Sequence, residues 1–175
     1  MSEPSGAAWC ARFPTSTSIN DLDPKFAEKV SGFIHALKSA GASVRVSATY
    51  RPAERAFLMH YCCKIADREI LPIAIPKMDG VDIDWGHGGD LAAAVAGAKA
   101  MKEGYGIAYP AALVSRHTQR LAIDMTVSWK GAITVRDARG ADHVCRSQQD
   151  LWPIGASYGV HKLASDAPHW SSDGH

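Results

Sequence analysis

The sequence predicts an α+β fold in which a small antiparallel sheet carries helices on its other face. Three observations lead there: apolar residues at helical spacing over 23–41, a β-branched partial alternation over 43–50, and short extended runs after Gly104, where the helical pattern stops. Residues 1–22 are rich in Ser, Thr, Pro and Ala and have little periodicity, so they read as an irregular N-terminal arm, with 23–175 as a single domain.

Asp23-Pro24 supplies an N-cap followed by proline at the first helical position. Phe26, Val30, Phe33, Ile34 and Leu37 then form one apolar stripe that ends at Gly41. Ser43–Tyr50 reads as a strand, and Arg51-Pro52 ends it and opens a helix through about Arg68. Residues 71–90 contain Leu71-Pro72, Ile75-Pro76 and Gly86-His87-Gly88-Gly89, which make a loop of a length usually reserved for a site. Asp90 caps an alanine-rich helix to about Glu103. Short strands are expected over 114–117, 121–129 and 132–136, the last two as a hairpin around Lys130-Gly131. Ser147–Asp150 has capping-box spacing and starts a helix ending near Gly159, after which the chain extends through His169.

Composition restricts the functions open to the chain. Its 175 residues can bury a core without disulfides, and the four cysteines, Cys10, Cys62, Cys63 and Cys145, have no C-x-x-C spacing and read as reduced packing residues. Nineteen basic against eighteen acidic side chains leave a net charge of +1, which disfavours nucleic acid as a partner. No window approaches the roughly 18 apolar residues of a membrane span, and the first residues lack the basic and apolar segments of a secretory signal. We therefore expect a monomer that is cytoplasmic as synthesised.

Two separated motifs carry chemistry. His117 and Asp124 stand seven positions apart, and Asp166 precedes His169 by three. His117, Asp124 and His169 can supply three ligands to a zinc ion and leave a fourth position for water, with Asp166 as a base. Seven positions give opposite parity on a regular strand, so a turn over Thr118–Arg120 must bring the first pair together. A lone H-x(6)-D pattern more often means a surface histidine and an ion-paired aspartate; the second motif shifts that balance. Asp166 would take a proton from the attacking water and pass it to the leaving amine, while His161 could hydrogen-bond a developing oxyanion. The acidic residues of the long loop, Asp82 and Asp84 among them, lack the terminal glutamate of a calcium hand.

These residues resemble the zinc D-alanyl-D-alanine carboxypeptidases and dipeptidases and the phage L-alanyl-D-glutamate endopeptidases, of the group that includes lysostaphin and the hedgehog signalling domain. Ser115, His117, Ala122 and Asp124 meet the family pattern S-x-H-x-x-G-x-A-x-D, and Asp166 and His169 meet its later acidic-x-x-His element. Ser47–Arg51 is similar to the upstream strand ending in tyrosine-arginine. Arg120 departs from the pattern's glycine, and Gly159–Leu163 lacks a tryptophan-glycine-glycine run. The resemblance spans about residues 25–172 and implies a hedgehog/DD-peptidase fold and a zinc metallopeptidase of bacterial cell-wall peptides. It also implies that Arg51 binds a substrate carboxylate or the oxyanion, and that Ser115 belongs to the substrate-binding residues. The favoured activity is that of a bacteriolytic phage or prophage endolysin; the alternatives are a D-alanyl-D-alanine carboxypeptidase or dipeptidase, and a non-catalytic zinc-containing binding module.

Overall fold

The computed structural model describes residues 2–175 and is α+β; Met1, the first residue of the expected arm, lies outside the described residues. In chain order it contains β1 (Glu3–Pro4), α1 (Pro24–Ser39), β2 (Ser43–Ala48), α2 (Ala53–Ala66), β3 (Ile83–Asp84) and α3 (Leu91–Tyr105). Then come β4 (Ala122–Ser128), β5 (Ile133–Arg136), β6 (Asp142–Cys145), α4 (Leu151–Ser157), β7 (His161–Lys162) and β8 (His169–Ser171). Where one domain over 23–175 was expected, contacts group the chain into two compact units: residues up to Pro14 with Pro52–Ser115, and Thr15–Arg51 with Arg116–His175. Among the described residues no helix is long and apolar enough to cross a membrane.

The second unit holds the four-stranded antiparallel sheet, in the order β2-β4-β8-β7. Helix α1 begins where the Asp23 side chain accepts hydrogen bonds from the backbone N–H of Lys25 and Phe26, satisfying donors that the first turn leaves open. Its buried residues are Phe26, Val30, Phe33, Ile34 and Leu37, the stripe seen in the sequence. They share a core with Ile123, Met125 and Val127 of β4, Trp170 of β8, and Leu151 and Ile154 of α4. Because a strand alternates faces, burying Ile123 and Met125 against helices turns Asp124 to the opposite face. The same parity places Trp170 against Phe33, ring centroids 5.3 Å apart, and turns His169 the other way. Gly155 permits this packing: a methyl group there would meet the Trp170 ring at 2.7 Å and the Val160 carbonyl at 2.8 Å.

The first unit packs α2 against α3 around Trp9, Phe57, Leu58, Cys62, Ile65, Trp85 and Met101, with β1 and β3 in a short parallel pair. The expected irregular arm is partly ordered here: residues 7–11 form a 3-10 turn that buries Trp9, whose indole donates to the Pro4 carbonyl. Asp90 caps α3 by accepting from the Ala93 N–H.

Three extended runs differ from expectation. Residues 114–117 form no strand: Val114 is 71% exposed, and the chain turns at 116–120. β4 and β5 do not form a hairpin; β4 pairs with β2 and β8, and β5 pairs with β6, which the sequence reading did not contain. The β5–β6 turn is closed by the Asp137 carboxylate accepting from the N–H groups of Arg139 and Ala141, while the chain bends at Lys130-Gly131 without pairing β4 to β5. The run through His169 is likewise broken, with a turn over 164–168 between β7 and β8.

Candidate metal centre

The turn at 116–120 delivers His117. The Leu121 N–H donates to the Arg116 carbonyl at 2.7 Å, and Arg120 adopts φ +64°, so the chain reverses between His117 and β4 where the parity argument required a turn. Asp124 on β4 lies directly opposite His169 on β8 in the antiparallel register. Three residues distant in sequence thus meet on the sheet face away from α1.

The meeting is tight. His117 Nε2 lies 3.1 Å from Asp124 Oδ1 and 3.2 Å from His169 Nδ1, and His169 Nδ1 lies 3.1 Å from Asp124 Oδ1. Donors about 2.0–2.1 Å from a tetrahedral ion stand about 3.3 Å apart, close to these separations. The two histidines are 5% and 7% exposed, and the Asp124 side chain 20%. Among the described residues this is the one group of three or more His, Cys, Asp or Glu side chains placed to hold a metal ion.

The outer ring nitrogens decide what the inner ones can do. His117 Nδ1–H donates to the Thr49 carbonyl at 2.7 Å, and His169 Nε2–H donates to the His175 carbonyl at 3.2 Å. With those protons outside, the inward Nε2 of His117 and Nδ1 of His169 present lone pairs, next to a carboxylate oxygen. Three acceptors at such distances repel one another unless a proton or a metal cation sits among them. The donor set therefore fits a divalent cation, with two imidazoles, one carboxylate and both rings oriented by backbone carbonyls. Burial alone would raise the Asp124 carboxyl, yet whenever the imidazoles carry an inward proton, hydrogen bonds and charge from His117 and His169 hold it well below the usual carboxylate range. Burial would lower the His169 imidazole, but the hydrogen bonds to Asp124 and the His175 carbonyl, with the charges of Asp124 and Asp166, raise it.

Several braces were not visible in the sequence. Thr49, fully buried, is pinned by its N–H to the Ser16 carbonyl and its hydroxyl to the Ser18 carbonyl, so part of the supposed arm supports the His117 acceptor. His175 donates its N–H to Ser171 Oγ, which holds its carbonyl near His169. The Lys162 ammonium donates to the backbone carbonyls of Leu163, Asp166 and His169 and so ties together the turn between β7 and β8. A carbonyl acceptor has no residue-type signature; only the lysine could have been noticed.

The remaining sequence candidates sit as follows. Asp166 is exposed in the 164–168 turn; its N–H donates to the Leu163 carbonyl, and its carbonyl accepts from the His169 N–H at 3.1 Å. Its carboxylate is outside the metal-ligand group, though its charge reaches both His169 and Lys162. Arg51 follows β2, half-buried, with its N–H donating to the His117 carbonyl at 3.2 Å. His161 lies on β7 opposite Ser171, one strand from His169 and out of register with it. Ser115 falls in the first unit, half-buried. No protein-family model and no curated protein matches the sequence.

Proposed function

We propose that this chain is a zinc-dependent peptidase that hydrolyses peptidoglycan stem or cross-link peptides, built on the hedgehog/DD-peptidase scaffold and serving as a phage or prophage endolysin. The convergence of His117, Asp124 and His169 on one buried point carries the reading, because two motifs far apart in the chain supply complementary ligand atoms there. The order of those motifs along the sequence is the second support. In this reading the protein is made in the cytoplasm and acts on the wall after release.

His117 Nε2, Asp124 Oδ1 and His169 Nδ1 would hold the zinc, which when bound supplies Lewis-acid polarisation of a carbonyl and a nucleophile at neutral pH. The chain's own residues do the rest. The Asp166 carboxylate accepts a proton from the attacking water and returns it to the leaving amine. Arg51 binds the substrate carboxylate or the oxyanion, with Ser115 and His161 as further substrate contacts.

The test is digestion of purified peptidoglycan by the zinc-loaded chain, with mass spectrometry of the products. A new amino terminus within the stem or cross-link peptide is expected; release of terminal D-alanine alone would move the assignment to a carboxypeptidase. Asp166→Ala should keep zinc and lose turnover, whereas His117→Ala should lose zinc. One equivalent of bound zinc with no product from any peptidoglycan would leave a non-catalytic module and overturn the peptidase reading.

A further inference from the structure

Two segments bring the candidate histidines together: the turn at 116–120 carries His117, and β8 carries His169. One ion pair joins these segments from the side. The Arg116 guanidinium donates from Nε to Asp173 Oδ1 at 3.0 Å and from Nη2 to Asp173 Oδ2, so it engages both carboxylate oxygens. Its Nη1 donates to Gln119 Oε1 at 2.6 Å, within the turn that delivers His117. Two parallel bonds between a guanidinium and a carboxylate fix orientation as well as distance.

On the other side of the pair, Asp173 organises residues 171–175. Its Oδ1 accepts from the Ser171 hydroxyl and from the His175 N–H, each at 3.3 Å. Ser171 is fully buried, and its Oγ accepts from the N–H groups of Gly174 at 2.8 Å and His175 at 3.0 Å. Gly174 takes φ +84°, a conformation that a side chain would strain, and lets the chain fold back after β8. The His175 carbonyl thereby arrives 3.2 Å from His169 Nε2.

That acceptor decides which atom His169 offers. Half a revolution of the ring about its Cβ–Cγ bond would put a carbon where Nδ1 stands and remove the inward ligand; the Nε2–H bond to the His175 carbonyl opposes that rotation. The Arg116 and Asp173 side chains are 33% and 38% exposed, and an ion pair so placed adds little to folding stability. Its value lies in geometry. We propose that Arg116 and Asp173 are a positioning pair, which holds His169 Nδ1 toward the metal by fixing the 171–175 segment whose carbonyl takes the outer ring proton. The inference rests on the reading of His117, Asp124 and His169 as zinc ligands.

Zinc affinity of the full chain is measured by competition with a chelator for the parent, Asp173→Asn, Arg116→Gln and the double variant. The imidazole ¹⁵N signals of His117 and His169 are read by NMR in each zinc-loaded chain. Either single change should weaken zinc binding by about tenfold or more, and the double change should cost no more than either alone, because all three remove the same pair. His169 Nδ1 should lose its metal-bound signal while His117 Nε2 keeps its own. Parent-like affinity in both single variants, losses that add in the double variant, or weakened binding with the His169 signals unchanged overturns the proposal. A parent chain that takes up no zinc overturns the ligand assignment and this inference with it, whereas a zinc-binding parent with unaffected variants overturns the inference alone.

Discussion

At the residue scale the centre depends on a conformation that its sequence does not favour. Arg120 holds φ +64°, where a side chain costs about 1–2 kcal/mol and glycine costs almost nothing. Arginine is tolerated because its guanidinium lies 4.1 Å from the Tyr50 ring centroid and donates to the Asp21 carbonyl, worth about 0.5–1 kcal/mol from the ring alone. Arg120→Gly exchanges these contacts for relaxed backbone and should change stability by less than about 1 kcal/mol, whereas Arg120→Ala keeps the strain, loses the contacts and should cost about 1 kcal/mol. Denaturant unfolding that ranks alanine above glycine in stability would show the turn to be unstrained. A second residue contributes to the loss of stability at alkaline pH. Burial, with the neighbouring Cys63 and Cys10 sulfurs, pushes the Cys62 thiol from 9.0 up to about 12. A group whose folded pKa is raised stabilises fully below its unfolded value and loses that contribution as pH climbs to its folded one. Stability should therefore fall between pH 9.0 and about 12, at up to about 1.4 kcal/mol per pH unit for this one thiol. Cys62→Ala should flatten the slope measured above pH 9.0, whatever it does to stability at neutral pH.

At the scale of elements, the candidate metal centre rests in part on the turn between β7 and β8. That turn has no core of its own: residues 164–167 are exposed, and Pro168 is only half-buried. Beside its own backbone hydrogen bonds, the turn is tied by the Lys162 ammonium, whose three N–H donors meet the carbonyls of Leu163, Asp166 and His169. Lys162→Met keeps the length and apolar stem of the side chain but removes every donor. It should loosen the turn, cost about 1–3 kcal/mol, and weaken zinc binding roughly tenfold, the scale on which outer partners of a ligand act. Lys162→Arg should not restore the parent affinity, because a planar guanidinium cannot direct three donors around one point as an ammonium does. Competition with a fluorescent zinc chelator checks both variants, and parent-like affinity in Lys162→Met would show that β8 holds His169 unaided.

At the scale of the whole molecule, legibility followed burial. Helix α1 was readable end to end because its cap, first-turn proline and apolar stripe act within one segment. The candidate ligand residues were readable because few residue types bind metal and two separate motifs supplied them. Strand β6 was not, since Asp142, His143 and Val144 are all exposed and show no apolar alternation, while the local β-preference of Val114 had no neighbouring strand to pair with. The division into two units was also hidden, because each is assembled from separated stretches of chain. It has a measurable consequence if the metal assignment holds. Every proposed ligand and every brace of the centre belongs to the second unit, so zinc should stabilise that unit by mass action, by about 2.7 kcal/mol at a free concentration a hundredfold above Kd. Hydrogen exchange should then show zinc-dependent protection over 43–51, 116–128 and 161–175, reversed by a chelator and absent in His117→Ala. Protection that survives in His117→Ala would place the ion elsewhere.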